Sequence, residues 1–405
     1  MKKIIFTIIT ILSVIFLQVQ AQSFRKLNIG SDTINIDAGV TYEIQPNTAG
    51  GSFEIFRGNV SQGVFNYTNT ITTIVGLKLN KSELSLGYGE PFTLLPTVVP
   101  VQTVTYASGN EAIASVDSTG LITGISEGTT TITASTPDGQ TAVCEVTVQT
   151  LLQRISAMSG TTATLVLFAD ETLSPLKLAN NTNLTLTGDE EERIVRLASK
   201  GRLFTLPATT SLTLEDNVTL KGMTKNIDGA SEDNNDCLIA VGGTLTMKEG
   251  SKITGNTVGA GTGNSRTAGV TLNAPGATFI MQGGSITGNT TCENPNAAGA
   301  VWIGSGTVDN VCTFTMTGGI ISNNTATGSS TISCGGVFLA KSYIVFEKTG
   351  GIIYGGSATG GNANTALGSA TNKGHAVLWE RNWRKVDGDA DESHNISNVN
   401  VIGWD

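Results

Sequence analysis

The chain has 405 residues and a net charge of −9, with 39% hydrophobic residues, 6% aromatic residues and 49 glycines. The hydrophobic share excludes a disordered chain, and the glycine content suits turn-rich β-structure. The acidic balance and the lack of a basic patch exclude nucleic acid as a partner, while the length allows two or three domains.

Met1 to Ala21 reads as a signal peptide. Lys2 and Lys3 form a positive start, Ile4 to Leu17 is apolar with little interruption, and Val19-Gln-Ala21 offers a small residue at the cut before Gln22. The run is too short to span a bilayer comfortably, and no later apolar run is long enough for a transmembrane helix. No Cys follows the cut, so a lipid anchor is not expected. Loss of Lys2 and Lys3 takes the charge from −9 to −11. Five cysteines, Cys144, Cys237, Cys292, Cys312 and Cys334, leave at least one thiol free. A Cys292–Cys312 bridge and isolated thiols both stay open. No CxxC or Cys/His spacing suggests zinc.

Residues 22–73 carry short β-like runs such as Ile34-Asn-Ile36 and Phe53-Glu-Ile-Phe56. They read as a β-rich segment without a family. Residues 74–149 show short alternating strands with Gly or Pro turns, the pattern of a sandwich. Cys144 alternates in phase with Val146 and Val148 and reads as core. Val75-Gly-Leu-Lys-Leu-Asn80, Leu94-Leu-Pro-Thr-Val98, Ala114-Ser-Val-Asp117, Gly120-Leu-Ile-Thr-Gly124 and Gly128-Thr-Thr-Thr-Ile-Thr-Ala134 carry a resemblance to the bacterial immunoglobulin-like domain, group 2. Tyr106 stands where that family often has Trp. The resemblance implies a spacer or contact module and no catalytic residue.

Residues 150–160 read as a junction, and residues 163–177 as the first strands or the N-terminal cap of the next domain. The rest of the chain repeats. Phe279-Ile-Met-Gln-Gly-Gly-Ser-Ile-Thr-Gly-Asn-Thr290 recurs as Phe314-Thr-Met-Thr-Gly-Gly-Ile-Ile-Ser-Asn-Asn-Thr325, with looser copies from Leu245 and Phe346. The lead residues Leu184, Leu212, Leu245, Phe279, Phe314 and Phe346 are 28, 33, 34, 35 and 32 residues apart. Such a period signals a solenoid. Within each copy the apolar residues alternate, which is strand periodicity. A second strand signal lies between copies, as in Gly269-Val270-Thr-Leu272, Ala300-Val301-Trp-Ile303 and Gly336-Val337-Phe-Leu339. Each repeat therefore offers two or three short strands that bury their apolar faces only when stacked. Asn256, Asn289 and Asn324 hold one place in three copies and should stack as an amide ladder. The pattern resembles the right-handed parallel β-helix of the pectate-lyase-like superfamily, and in particular the repeats of large bacterial surface proteins. The fold expected is all-β: an Ig-like sandwich followed by a right-handed single-stranded parallel β-helix over residues 161–405, with a C-terminal cap.

Chemistry is hard to find in this pattern. The acidic groups Asp189-Glu-Glu-Glu192 and Glu232-Asp233 sit between strand signals, and Arg193, Arg196, Arg202 and Arg266 show no acidic partner at matching coil positions. The paired-aspartate, Gly-His-Gly and Arg-x-Lys motifs of polygalacturonases are absent. His375 aligns with Gly336 and Ala300 and reads as a rim residue; His394 is the other histidine. Asp387-Gly-Asp-Ala-Asp391-Glu392 has the oxygen-rich look of a calcium loop and equally of a solvated acidic loop. Trp379, Trp383 and Trp404 read as a cover for the last coil, or as a sugar-stacking platform. No catalytic, cofactor-binding or metal residue is assigned, and no cofactor is expected. The reading is a secreted or cell-surface, non-enzymatic, adhesin-like protein. Its β-helix loops, Asn226–Cys237 and Val258–Thr267, would meet a host or matrix glycan or surface protein. The alternatives are a carbohydrate-active enzyme on the β-helix, a lyase or glycosidase, and a purely structural envelope component.

Overall fold

The computed structural model describes residues 76–99, 101–259, 267–294, 296–304, 306–328, 332–340, 343–370 and 372–379, and outside them only strand segments. Two compact units separate, one holding residues 1–77 and 98–102 and the other the rest. In the first, Phe6–Ile11, Val14–Gln20, Thr41–Pro46, Ser52–Arg57 and Val60–Asn66 form an antiparallel sheet.

The second unit begins with the sandwich. One sheet takes Thr105–Ser108, Gly128–Ser135, Thr141–Val148 and Glu83–Leu86 in that order, the last pair parallel. The other takes Pro91–Thr93, Leu121–Gly124 and Ala114–Val116. Alternation along Thr141–Val148 sends Cys144, Val146 and Val148 inward, where they meet Leu86, Leu94, Ile122 and Ile132. Tyr106 donates its hydroxyl to the Leu94 carbonyl at 3.3 Å. Gly120 has φ +85°, and a Cβ there would stand 2.6 Å from the Leu94 oxygen, so only glycine fits this turn.

The helix α1, Leu151–Ala157, joins the sandwich to the repeats. Thr150 and Gln153 cap it reciprocally, the side chain of each accepting from the other's backbone N–H. Leu151, Ile155 and Met158 close the end of the repeat core, covering its first strands. The junction at residues 150–160 is therefore also a cover for the repeat core, and Thr150-x-x-Gln153 is its capping signal in the sequence.

The repeats wind into a parallel stack with three walls. The first wall runs Thr162–Leu167, Asn183–Gly188, Ser211–Leu214, Thr244–Met247, Thr278–Met281, Cys312–Met316, Ile344–Lys348 and Trp383–Arg384. The second runs from Glu171–Leu173 through Arg193–Leu197, Val218–Lys221, Lys252–Thr254, Ser285–Thr287 and Ile320–Ser322 to Ile352–Ile353. The third runs from Leu176–Lys177 to Val377–Trp379, with Asn395–Ile396 added antiparallel. All other neighbours in these walls are parallel and one repeat apart. The sandwich followed by a parallel β-helix is thus as expected.

Register stacks like on like. Leu184, Leu212, Leu245, Phe279, Phe314 and Phe346 form one inward column. The rings of Phe279 and Phe314 stack at 4.6 Å, and those of Phe314 and Phe346 at 5.0 Å. The neighbouring column Leu186, Leu214, Met247, Met281 and Met316 ends in Lys348, whose Nζ donates to the Gly351 carbonyl at 2.9 Å while the residue is buried.

The later coils hold more than the two or three strands expected. A fourth strip pairs Thr257–Val258, Thr290–Asn294, Thr325–Gly328 and Thr365–Gly368, and a fifth pairs Ala297–Ala298, Ile332–Cys334 and Asn372–Gly374. The side chains of Trp302, Phe338 and Leu378, on the outer face of the third wall, pack with Ala298, Ile332 and Cys334 of the fifth strip as a satellite core. Among the described residues no helix is long and apolar enough to cross a membrane.

Candidate binding surface on the wound domain

The amide ladder forms, and it is longer than the repeats suggest. Asn289 donates from Nδ2 to Asn324 Oδ1 at 3.0 Å, and Asn324 does the same to Asn364 at 3.0 Å. Asn256 joins through its backbone N–H to Asn289 Oδ1 at 3.3 Å, and Asn234 Nδ2 donates to Asn256 Oδ1 at 2.9 Å. All five are fully buried, so the ladder closes turns and is closed to ligands.

The acidic and basic residues pair across coils. No acidic residue stands at the position stacked on Arg193 or Arg196, where Val218 and Lys221 sit, but both arginines and Arg202 find carboxylates elsewhere. Arg193 grips Asp189 with Nε and Nη2, both at 2.7 Å. Arg196 pairs with Asp228, Lys200 with Glu232, and Arg202 with Asp236 at 2.9 Å. Each of these last three joins residues one coil apart, which sequence spacing alone hides. Lys221 reaches the same Asp228 at 2.5 Å, and Lys252 reaches Glu192 at 2.9 Å. Arg266 lies outside the described residues.

These pairs fix the first of the two expected loops. Residues 224–236 leave the second wall, and Asp228, Glu232 and Asp236 tie them back to Arg196, Lys200 and Arg202. Asp233 Oδ1 also accepts from the Lys225 N–H at 2.7 Å. Asn226 and Asp228 take positive φ, 64° and 48°, which Asn and Asp tolerate better than other non-glycine residues. The Lys221 ammonium, then the Arg196 guanidinium, hold the Asp228 carboxyl below its usual range. The loop borders a groove of about 240 Å³, floored by Thr172, Arg196 and Gly222 and walled by Met223, Ile227 and Ala230. Ile227 is 50% exposed there. The second expected loop, Val258–Thr267, is described only at its ends.

The remaining candidates resolve as follows. His375 is level with Gly335, not Gly336, because Cys334 pairs with Gly374 and Val337 with Val377. Its Nδ1 accepts from the Ala366 N–H at 3.2 Å, which holds the ring in a turn. Cys292 and Cys312 form no disulfide, and neither do Cys144, Cys237 and Cys334. Burial pushes the Cys237 thiol up to about 12. Among the described residues no three His, Cys, Asp or Glu side chains gather for a metal. Trp379 packs against the end of the repeat core. His394, residues 387–392 and Trp404 lie outside the described residues, as does the side chain of Trp383.

At the sandwich end, Arg154 of α1 bridges the two domains. It donates from Nη2 to the Val166 carbonyl at 3.0 Å and lies 3.7 Å from Glu171 and 3.8 Å from Glu90. Glu171 is buried and accepts the Leu151 N–H at 2.6 Å. Burial raises its carboxyl above the ordinary range, against the pull of that amide and of Arg154. A cleft of about 400 Å³ lies beside this joint, between Ser85, Gln149, Thr164 and Phe168.

Residues 91–146 match the bacterial Ig-like domain family, group 2. The chain is 37% identical over 97 residues to an Ig-like virion protein of Serratia phage KSP90, a match covering 22% of this chain and 38% of that protein. The chain thus spans well under half the length of this curated relative. A solved fragment of intimin in complex with its translocated receptor's binding domain aligns with 40% of this chain and 76% of its own, at 16% identity and a TM-score of 0.17. That likeness is too slight to bear on fold or function.

Proposed function

We propose that the chain is an exported, non-enzymatic binding protein of the cell surface or its surroundings. The wound domain meets a glycan or protein of a host or matrix, and the Ig-like domain serves as a spacer. Met1 to Ala21 directs export and is cut before Gln22. The observation that carries the reading is loop 224–236, a preorganised rim tied to the coil beneath and bordering an open groove with an exposed Ile227. A rigid rim lowers the ordering cost of binding. The pairing of Arg193, Arg196 and Arg202 with carboxylates also favours binding, since it leaves these arginines engaged and not poised as bases. The similarity to a phage protein described as an Ig-like virion protein is consistent with a module used on exposed particles.

The test uses the secreted full chain on a glycan array and against immobilised matrix proteins, with Ile227→Asp as the groove variant. Binding that the variant loses, with an unchanged melting curve, is the expected result. Cleavage of an acidic polysaccharide by the parent, with or without calcium, would overturn the reading in favour of an enzyme. N-terminal sequencing of the secreted product checks the cut.

A further inference from the structure

The joint between the sandwich and the wound domain brings together two open sheet edges. Thr162–Leu167 is the first strand of the first wall and pairs on one side only, with Asn183–Gly188. Glu83–Leu86 is the outermost strand of its sandwich sheet and pairs only with Thr141–Val148. In a parallel ladder, alternate residues turn both N–H and C=O to the same neighbour. The Thr161 and Leu167 carbonyls accept from Asn183 and Asp189 of the next coil. By that alternation Ala163 and Leu165 also face the next coil, while Thr164 and Val166 face away. The Ser82 and Leu86 carbonyls accept from Glu145 and Gln149, so Ser85 faces away from its own sheet.

Both outward edges open on the cleft of about 400 Å³, which Ser85 lines from the sandwich and Thr164, Leu165 and Val166 from the wound domain. Among the described residues, the N–H groups of Ser85, Thr164 and Val166 and the C=O groups of Ser85 and Thr164 meet no protein partner. One outward carbonyl is answered: Val166 accepts from Arg154 Nη2 at 3.0 Å. That bond shows the edge aiming its acceptors into the cleft and taking a donor there. The helix α1 also leaves the end of the core unfinished. Ala163 and Leu165, the inward residues of the first coil, are only partly buried, whereas Leu184 and Leu186 one coil on are fully buried. Where Glu90 and Phe168 line the cleft the two domains touch, since a Cβ on Gly89 would stand 2.6 Å from the Phe168 oxygen.

The geometry points to an extended polypeptide segment of a partner protein as the guest of this cleft, added as a strand along the open edges. A chain in β conformation offers N–H and C=O groups alternately to its two sides, which matches unpaired groups on the sandwich and on the wound domain together. Its side chains alternate as well, so every second one stacks over Ala163 or Leu165. An apolar residue at those places completes the cover of the core end. Main-chain bonds supply affinity, and the apolar alternation supplies selectivity. This site is separate from the groove at Ile227.

The test selects displayed random peptides of about ten residues, ample for this edge at roughly 3.3 Å per residue, on the immobilised full chain. The best binder is then resynthesised with a fluorescent label. Thr164→Pro removes an outward N–H and spares the ladder, and edge positions tolerate proline. It should weaken the peptide by about threefold or more, the worth of one hydrogen bond, with an unchanged melting curve. N-methylation of the peptide's central amide should do the same, and Ile227→Asp should leave the affinity as it is. Saturating peptide should slow hydrogen exchange at Ser85, Thr164 and Val166, and this measurement on the parent decides the matter if Thr164→Pro fails to fold. Selection that yields no binder overturns the inference. So does a peptide indifferent to Thr164→Pro, or one that leaves exchange at those three amides as fast as before.

Discussion

Asn324→Ala removes the central rung of the amide ladder. Asn324 Oδ1 accepts from the Asn289 backbone at 3.1 Å and from Asn289 Nδ2 at 3.0 Å. Its own Nδ2 donates to Asn364 Oδ1, the Ile286 carbonyl at 2.9 Å and the Ser322 carbonyl at 2.8 Å. In the variant, Asn289 Nδ2 keeps the carbonyls of Ile253 and Thr287 at 3.2 Å each, and Asn364 Oδ1 keeps the Asn324 N–H at 3.0 Å. The Asn289 backbone N–H loses its acceptor outright. An orphaned buried group costs about 1–3 kcal/mol and each lost bond about 0.5–1.5, which gives about 3–5 kcal/mol here. For a domain of this size the melting temperature should fall by roughly 6–20 °C. Circular dichroism follows the melt, and hydrogen exchange reads the Asn289 amide directly. A shift under about 2 °C, or an Asn289 amide as protected as in the parent, would refute the ladder's role. The adjacent Asn323→Gly is the contrast: at φ 53° glycine is at ease, and stability should move by no more than about 0.5 kcal/mol.

Phe314→Ala empties a fully buried site between two stacked rings and should cost about 3–5 kcal/mol in denaturant melts; a loss below about 1 would show the column relaxes around it. Glu171 has its folded value raised by burial, so its contribution is complete below the ordinary glutamate value and is lost as pH rises through the raised one. Parent stability relative to Glu171→Gln should therefore decline from about pH 4.3 upward, and a difference flat with pH would contradict this. Asp228, held low by Lys221 and Arg196, contributes above the ordinary aspartate value and stops as pH falls through its lowered one. Asp228→Asn mimics that acid state at neutral pH and should speed tryptic cleavage at Lys225; unchanged cleavage, read by mass spectrometry, would mean the loop is held by other contacts.

The axis of the repeats could be read from the chain because identical side chains stack only when their copies are in register. Phe279, Phe314 and Phe346 announce that register directly. Asn364 is hidden because nine residues, Gly355–Ala363, separate it from Tyr354 where the other copies have one, so its step from Asn324 is 40 rather than 33 or 35. The cross-coil pairs of Arg196, Lys200 and Arg202 escaped because their partners sit in a loop that carries no repeat signal. The fourth and fifth strips escaped because Thr290–Asn294 and Ile332–Cys334 are short and set among Gly, Asn and Ser, where the alternation that marks strands is lost. Of the candidate site, loop 224–236 was legible as an acidic, Asn-rich stretch. Its groove was not, because Thr172, Gly222 and Ile227 meet only after winding.

Thr278 sits directly on Thr313, and Phe279 on Phe314, with the same inward and outward assignment. Excising residues 278–312 would hand Ala277 straight to Thr313 and leave the surviving rings facing partners of the same kind. Lineages of this architecture can therefore grow or shrink by complete windings, while single-residue insertions in the walls are penalised by the flipped faces they impose. The length of the stack is in this sense a counted quantity, adjustable without redesigning any contact.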